Sequence, residues 1–191
     1  MFKLIDAINY ATQQHTNQRR KNNTKDPYIN HPIEVMYILA SCGITDINTL
    51  CGAVLHDTIE DTESTQKEIE TYFGPEVCTI VVECSDDKSL DKVKRKQLQI
   101  KHLEHVCDET KLVKLADKYS NVKSLLVDPP QNWSNDEIIG YVRWSFIICQ
   151  KLYGLNEELD EKMKHVFMDF GVTSVSEEEL NTYYSLICNK K

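Results

Sequence analysis

Read from the amino terminus, the apolar positions recur with a helical period rather than alternating. Phe2, Leu4, Ile5, Ile8 and Ala11 mark one side of a helix over 2–17. Residues 18–31 are polar and carry Arg19, Arg20, Lys21 and Lys25, which predicts a loop. Pro32 fits the first turn of a helix over 32–42, and Gly43 ends it. Thr45 or Asp46 can cap a third helix, in which Ile47, Leu50, Cys51, Val54 and Leu55 follow the i, i+3, i+4, i+7, i+8 spacing. That spacing puts His56 and Asp57 in its last turn, at the edge of the core. Thr65-x-x-Glu68 is a capping box for a helix over 65–73, stopped by Gly74-Pro75, with another over 75–84. Further helices are expected over 92–106, 109–126, 134–152, 155–169 and 175–188, with a polar loop at 85–91. No stretch alternates as a strand would, and no repeat or low-complexity segment interrupts the pattern. The expected fold class is all-α.

A chain of 191 residues suits one domain with a core of ordinary size, so a single domain over 1–191 is expected. Hydrophobic residues make up 41% and charged residues 27%, the balance of a globular, soluble chain. No apolar run is long enough to span a bilayer, and Met-Phe-Lys-Leu-Ile-Asp lacks a signal-peptide pattern, so no membrane association is expected. The seven cysteines have no C-x-x-C spacing and sit mostly among apolar neighbours. They read as small core residues in a reducing compartment, the cytoplasm. The net charge of −8 argues against nucleic acid as a partner. An anionic small molecule would need a local basic patch, and the runs around Arg20 and Lys92 supply two.

The candidate chemistry centres on His56-Asp57, with Glu60 and Asp61 following within about one turn. Alone, such a pair is commonly a helix-end hydrogen bond. Asp117 lies in an apolar helix among Leu112, Val113, Leu115 and Ala116, where a carboxylate needs a partner or a metal. Lys114 and Asn121 are its helical neighbours, so a buried ion pair or a hydrogen bond within the helix is the competing reading. His31 stands at a helix start, where it could equally cap the helix or face solvent. Together His31, His56, Asp57 and Asp117 form a His₂Asp₂ set from three helices, a donor set that suits a divalent first-row metal and leaves room for water and substrate. Trp133 and Tyr141 read first as core aromatics.

This order, a His, then an adjacent His-Asp, then a distant Asp, resembles the HD superfamily of metal-dependent phosphohydrolases. Five blocks are similar to the hydrolase domain of the Rel/SpoT alarmone enzymes: Tyr28-Ile29-Asn30-His31-Pro32, Leu55-His56-Asp57-Thr58-Ile59-Glu60-Asp61, Phe73-Gly74-Pro75-Glu76-Val77, Asp86-Asp87-Lys88-Ser89-Leu90 and Lys114-Leu115-Ala116-Asp117-Lys118. The length resembles the small stand-alone metazoan members, over roughly residues 3–170. The resemblance implies an all-helical fold, one Mn²⁺, and removal of the 3′-pyrophosphate from (p)ppGpp. It makes His31, His56, Asp57 and Asp117 the metal ligands, with Fe²⁺ or Zn²⁺ tolerated by the same donors. It makes Glu60 and Asp61 the acids beside the attacking water, and Arg20, Lys21, Lys92, Asn121, Trp133 and Tyr141 the nucleotide contacts. The same site admits a second substrate, the 2′-phosphate of NADPH, and a nucleotide sensor without catalysis is a third reading. Three features depart from the family: Tyr119-Ser120 where an apolar pair is usual, the segment His105–Thr110, and an extension over 171–191 expected to be helical.

Overall fold

In the computed structural model the described residues are 2–188, and ten α-helices account for their regular structure. They are α1 (Phe2–Gln14), α2 (Asn30–Ser41), α3 (Ile47–Leu55), α4 (Thr58–Asp61), α5 (Gln66–Cys84), α6 (Lys92–His102), α7 (Asp108–Ser124), α8 (Asn135–Gln150), α9 (Glu157–Asp169) and α10 (Glu177–Cys188). Among the described residues the β-type pairing is one isolated bridge, Arg19 with Pro27, which closes the loop between α1 and α2. Among the described residues no helix is long and apolar enough to cross a membrane. Met1 and residues 189–191 of the expected extension lie outside the described residues.

Helix starts follow local chemistry. The Asp46 carboxylate accepts from Thr49 N at 2.7 Å and caps α3, so Asp46 rather than Thr45 takes that role. Thr65 with Glu68 forms the expected capping box of α5, and Ser134 with Glu137 forms another on α8. The two helices expected over 65–84 are continuous in the chain as α5 but bend at Gly74, whose φ of 82° and ψ of 168° are not helical. Pro75 disfavours the α conformation in the residue before it and Gly tolerates positive φ, so the bend falls there.

The central element is α3, buried from Thr49 to Leu55 and packed against α1, α2, α5 and α7. One apolar cluster joins α1, α3 and α5 through Ala7, Ala11, Val54, Leu55, Ile69 and Val81. A larger one gathers Leu39, Leu115, Trp144, Met163 and Phe167 from α2, α7, α8 and α9. The start of α2, the end of α3 and the middle of α7 bring their polar side chains to one place. The extension forms α10, which packs on α8 and α6 with Tyr183, Tyr184 and Ile187 buried.

Candidate functional site

His31 opens α2 and is 3% exposed; His56 directly follows α3 and is 4% exposed. The periodicity placed His56 and Asp57 inside the third helix. The structure ends α3 at Leu55 because its last carbonyls go to side chains. His56 Nδ1 lies 2.8 Å from Ala53 O, and the Thr58 hydroxyl donates to Leu55 O at 2.7 Å. A new single turn, α4, then starts after Asp57 and carries Glu60 and Asp61.

Nitrogen or oxygen atoms of His31, His56 and Asp117 all lie within 4.8 Å of one another. Asp57 Oδ2 joins them, 3.0 Å from His56 Nε2 and 3.9 Å from His31 Nε2. His31 Nε2 is 3.0 Å and His56 Nε2 is 3.8 Å from Asp117 Oδ1. The donor chemistry of this cluster fits a divalent cation. With the His56 Nδ1 hydrogen given to Ala53 O, a neutral ring turns a lone pair inward at Nε2. That buried nitrogen has no hydrogen-bond partner. Two imidazole nitrogens and two carboxylates facing one point form the donor set of such an ion.

The electrostatics separate the two imidazoles, and a cation would have to displace a proton from His56. Burial lowers the pKa of His31 and keeps its ring neutral. At His56 burial acts in the same direction, but Asp57 and Asp117 outweigh it and favour the imidazolium. Burial pushes Asp57 and Asp117 up, yet His56 beside Asp57 and Lys118 beside Asp117 hold both carboxyls below their ordinary value. Lys118 Nζ sits 2.7 Å from Asp117 Oδ2, and Asn121 Nδ2 donates to Asp117 Oδ1 at 2.6 Å. The helix hydrogen bond from Asn121 that competed with the ligand reading is therefore present, and so is a buried ion pair, but with Lys118, while Lys114 Nζ donates to Cys84 O at 3.3 Å; Asp117 Oδ1 also faces the two imidazoles.

The two acids of α4 face different spaces. Glu60 lines a cavity of about 160 Å³ with His31, His56, Asp57 and Asp117, and accepts from Asp86 N at 2.9 Å. Burial raises its pKa from 4.5 to about 7. Asp61 instead lines the adjoining cleft of about 380 Å³, where it accepts from Gln18 Nε2 at 2.9 Å and pairs with Lys88. Arg20, Lys21, Asn121, Trp133 and Tyr141 line that cleft too. Tyr28 and Asn121 border both spaces. Lys92 stands apart, in a recess of about 100 Å³ that shares Trp133 and Tyr141 with the cleft. Trp133 and Tyr141 also pack against the core, so each is at once a core aromatic and a cleft wall.

Several participants carried no sequence signal of their own role. The Tyr28 hydroxyl donates to Asp57 Oδ2 at 2.6 Å, and burial together with the Asp57 charge raises its pKa. Gln18 fastens Asp61 from the loop after α1. Ser120 lies 3.0 Å from His31 Nδ1. Tyr28 is three residues before His31, inside a block already singled out, and that position was the one available hint.

Comparison with known proteins adds the relatives. An HD-domain family model matches residues 7–137. A guanosine-3′,5′-bis(diphosphate) 3′-pyrophosphohydrolase of Xenopus tropicalis is 45% identical over 170 residues, which are 88% of this chain and 95% of that one. The human protein of the same name is 44% identical over 172 residues, covering 90% and 96%. Among solved structures, one described as a metazoan ortholog of SpoT that hydrolyzes ppGpp and plays a role in starvation responses superposes with a TM-score of 0.86. It is 39% identical and is matched over 88% of this chain and 96% of its own.

Proposed function

The chain belongs to the HD-domain family, on the branch of the small animal guanosine-3′,5′-bis(diphosphate) 3′-pyrophosphohydrolases, and we propose from that premise that it hydrolyses the 3′-pyrophosphate of ppGpp and pppGpp. Water adds at the phosphorus bonded to the ribose 3′ oxygen, the P–O bond to the ribose breaks, and GDP or GTP leaves with pyrophosphate. The observation that carries the reading is the junction of two spaces: the His/Asp donor cluster opens, across Tyr28 and Asn121, onto a cleft lined by cations and aromatic rings.

In this proposal His31, His56, Asp57 and Asp117 hold one divalent cation, Mn²⁺, with Fe²⁺ and Zn²⁺ compatible with the same donors. Bound there, the cation supplies Lewis-acid polarisation of a phosphoryl oxygen and acidifies a water. Glu60 would accept the proton of the attacking water, because it lines the cluster's own cavity and burial has moved its pKa toward neutrality. Asp61 fixes the border of the cleft by tying Gln18 to α4. The Tyr28 hydroxyl holds Asp57 in place and keeps one carboxylate oxygen turned to the imidazoles. Arg20 and Lys21 counter the phosphate charge, Trp133 and Tyr141 flank the base or ribose, and Lys92 reaches the substrate from the neighbouring recess. The cleft volume falls in the range of small-molecule sites, roughly 300–1,000 Å³. We place the enzyme in the cytoplasm, since all seven cysteines are free, and treat 1–191 as one domain.

The deciding experiment is turnover of ppGpp and NADPH side by side, on protein stripped of metal and then given Mn²⁺. Metal-dependent release of pyrophosphate from ppGpp is expected. Release of phosphate from NADPH with ppGpp untouched would move the assignment to a 2′-phosphatase. No turnover of either, with the nucleotide still bound, would make the chain a sensor, against the presence of Glu60 in the cavity.

A further inference from the structure

The rear of His31, away from the donor cluster, makes a set of contacts that the hydrolytic reading does not use. His31 Nδ1 lies 3.0 Å from Ser120 Oγ, and the Ser120 hydroxyl donates to Glu34 Oε2 at 2.8 Å. A serine has one hydroxyl hydrogen. With that hydrogen given to Glu34, Ser120 turns only lone pairs toward the imidazole, so the ring must carry its own hydrogen at Nδ1. A neutral ring then presents a bare Nε2 to a cation; without one, that atom is at hydrogen-bond distance from Asp117 Oδ1, 3.0 Å. Ser120 is 1% exposed, so water does not compete for the contact.

The placement is economical. Glu34 follows His31 by three residues on α2, and Ser120 follows Asp117 by three on α7, so each lies about one turn beyond a donor residue. The relay therefore ties together the two helices that supply His31 and Asp117. The two imidazoles are fixed in different ways. The tautomer of His56 is set by a backbone carbonyl, Ala53 O, whereas that of His31 depends on two side chains.

We propose that Ser120 and Glu34 are positioning residues for the cation site: they lock His31 with its hydrogen on Nδ1 and strengthen Nε2 as a donor. The inference rests on the metal-site reading given above. Partners of this kind change metal affinity by about 10–100-fold when removed.

The test is the Mn²⁺ dissociation constant of the full chain, measured by competition with a chelator, for Ser120→Ala, Ser120→Thr and Glu34→Ala. Circular dichroism and melting of the metal-free proteins report folding. Ser120→Ala should weaken Mn²⁺ binding by about tenfold or more, and Glu34→Ala should weaken it in the same direction. Ser120→Thr, which keeps the hydroxyl, should restore the wild-type constant. Glu34 is exposed, so its variant should fold and decide the matter even if Ser120→Ala does not. Wild-type affinity in both alanine variants would overturn the relay and leave the metal site standing. Loss in Ser120→Ala with none in Glu34→Ala would also overturn it, by removing Glu34 from the chain of contacts. A wild-type protein that binds no Mn²⁺ would instead bring down the metal reading, and the relay with it.

Discussion

At the scale of the residue, Glu60 carries the sharpest expectation. Its pKa is raised from 4.5 to about 7, by burial first and then by the acidic neighbours Asp86 and Asp57, against the hydrogen bond from Asp86 N. A carboxyl whose folded pKa lies above its unfolded one stabilises the fold while protonated. In metal-free protein that contribution is complete below about pH 4.5 and is lost as the pH rises through about 7. The gap corresponds to about 3 kcal/mol. Glu60→Gln cannot ionise, so the metal-free variant should match wild type near pH 4.5 and melt several degrees higher at pH 8; equal melting at both would contradict the burial argument. The same variant should keep its Mn²⁺ and lose about 10²–10⁴ in kcat, the range of a positioned acid or base. His56→Ala should do the reverse and come through purification without metal, which elemental analysis would check. The residues of the His/Asp cluster were legible in the sequence because residue type and order are themselves the signal. The division between Glu60 and Asp61 was not, since adjacent residues on a single helical turn point to different spaces and only the surrounding helices determine which.

At the scale of the element, the long helices and their caps were readable from spacing, but the break between α3 and α4 was not. It depends on His56 and Thr58 taking the carbonyls of Ala53 and Leu55, a competition that apolar periodicity does not record. The close approach of α3 to α5 was equally hidden. A Cβ added at Gly52 would lie 2.5 Å from Ile80 Cγ2, inside the buried core. Glycine in a helix costs roughly 1 kcal/mol relative to alanine, so on propensity alone Gly52→Ala should stabilise. Overpacking of about 1–3 kcal/mol should win, because Ile80 is buried and cannot swing out to solvent. Gly52→Ala is therefore expected to lower the melting temperature. It should also weaken Mn²⁺ binding, since α3 delivers His56 and Asp57 four and five residues further on. The cost should shrink in an Ile80→Ala background, where the clashing atom is gone. A Gly52→Ala protein as stable as wild type would show that the helices have room to part.

At the scale of the whole molecule, the all-helical class followed from the period of the apolar residues, while the cleft did not, because its walls come from positions as far apart as Gln18 and Tyr141. Long-range electrostatics then sets a problem that the cleft must solve. The chain carries a net charge of −8, and ppGpp is a polyanion, so the mean field of the protein would repel the proposed substrate. Arg20 is held in the cleft by a 3.2 Å hydrogen bond to Asn121 and lies 5.9 Å from the Tyr28 ring centre, and the exposed Lys21 follows it. If these cations reverse the local sign, Lys21→Glu should raise KM for ppGpp by about tenfold or more at low salt. The rise should be smaller for NADPH, which carries fewer phosphate charges, and should shrink as salt is added, because an exposed charge is screened over about 10 Å at 0.1 M. Lys92→Glu should act in the same direction through the adjoining recess. A lysine that only solvates the surface would leave both KM values where they are. Steady-state kinetics of the two variants on both substrates, at low and high salt, separates the cases: a KM unchanged at low salt for both substrates would remove Lys21 and Lys92 from the binding machinery and leave the phosphate charge to Arg20.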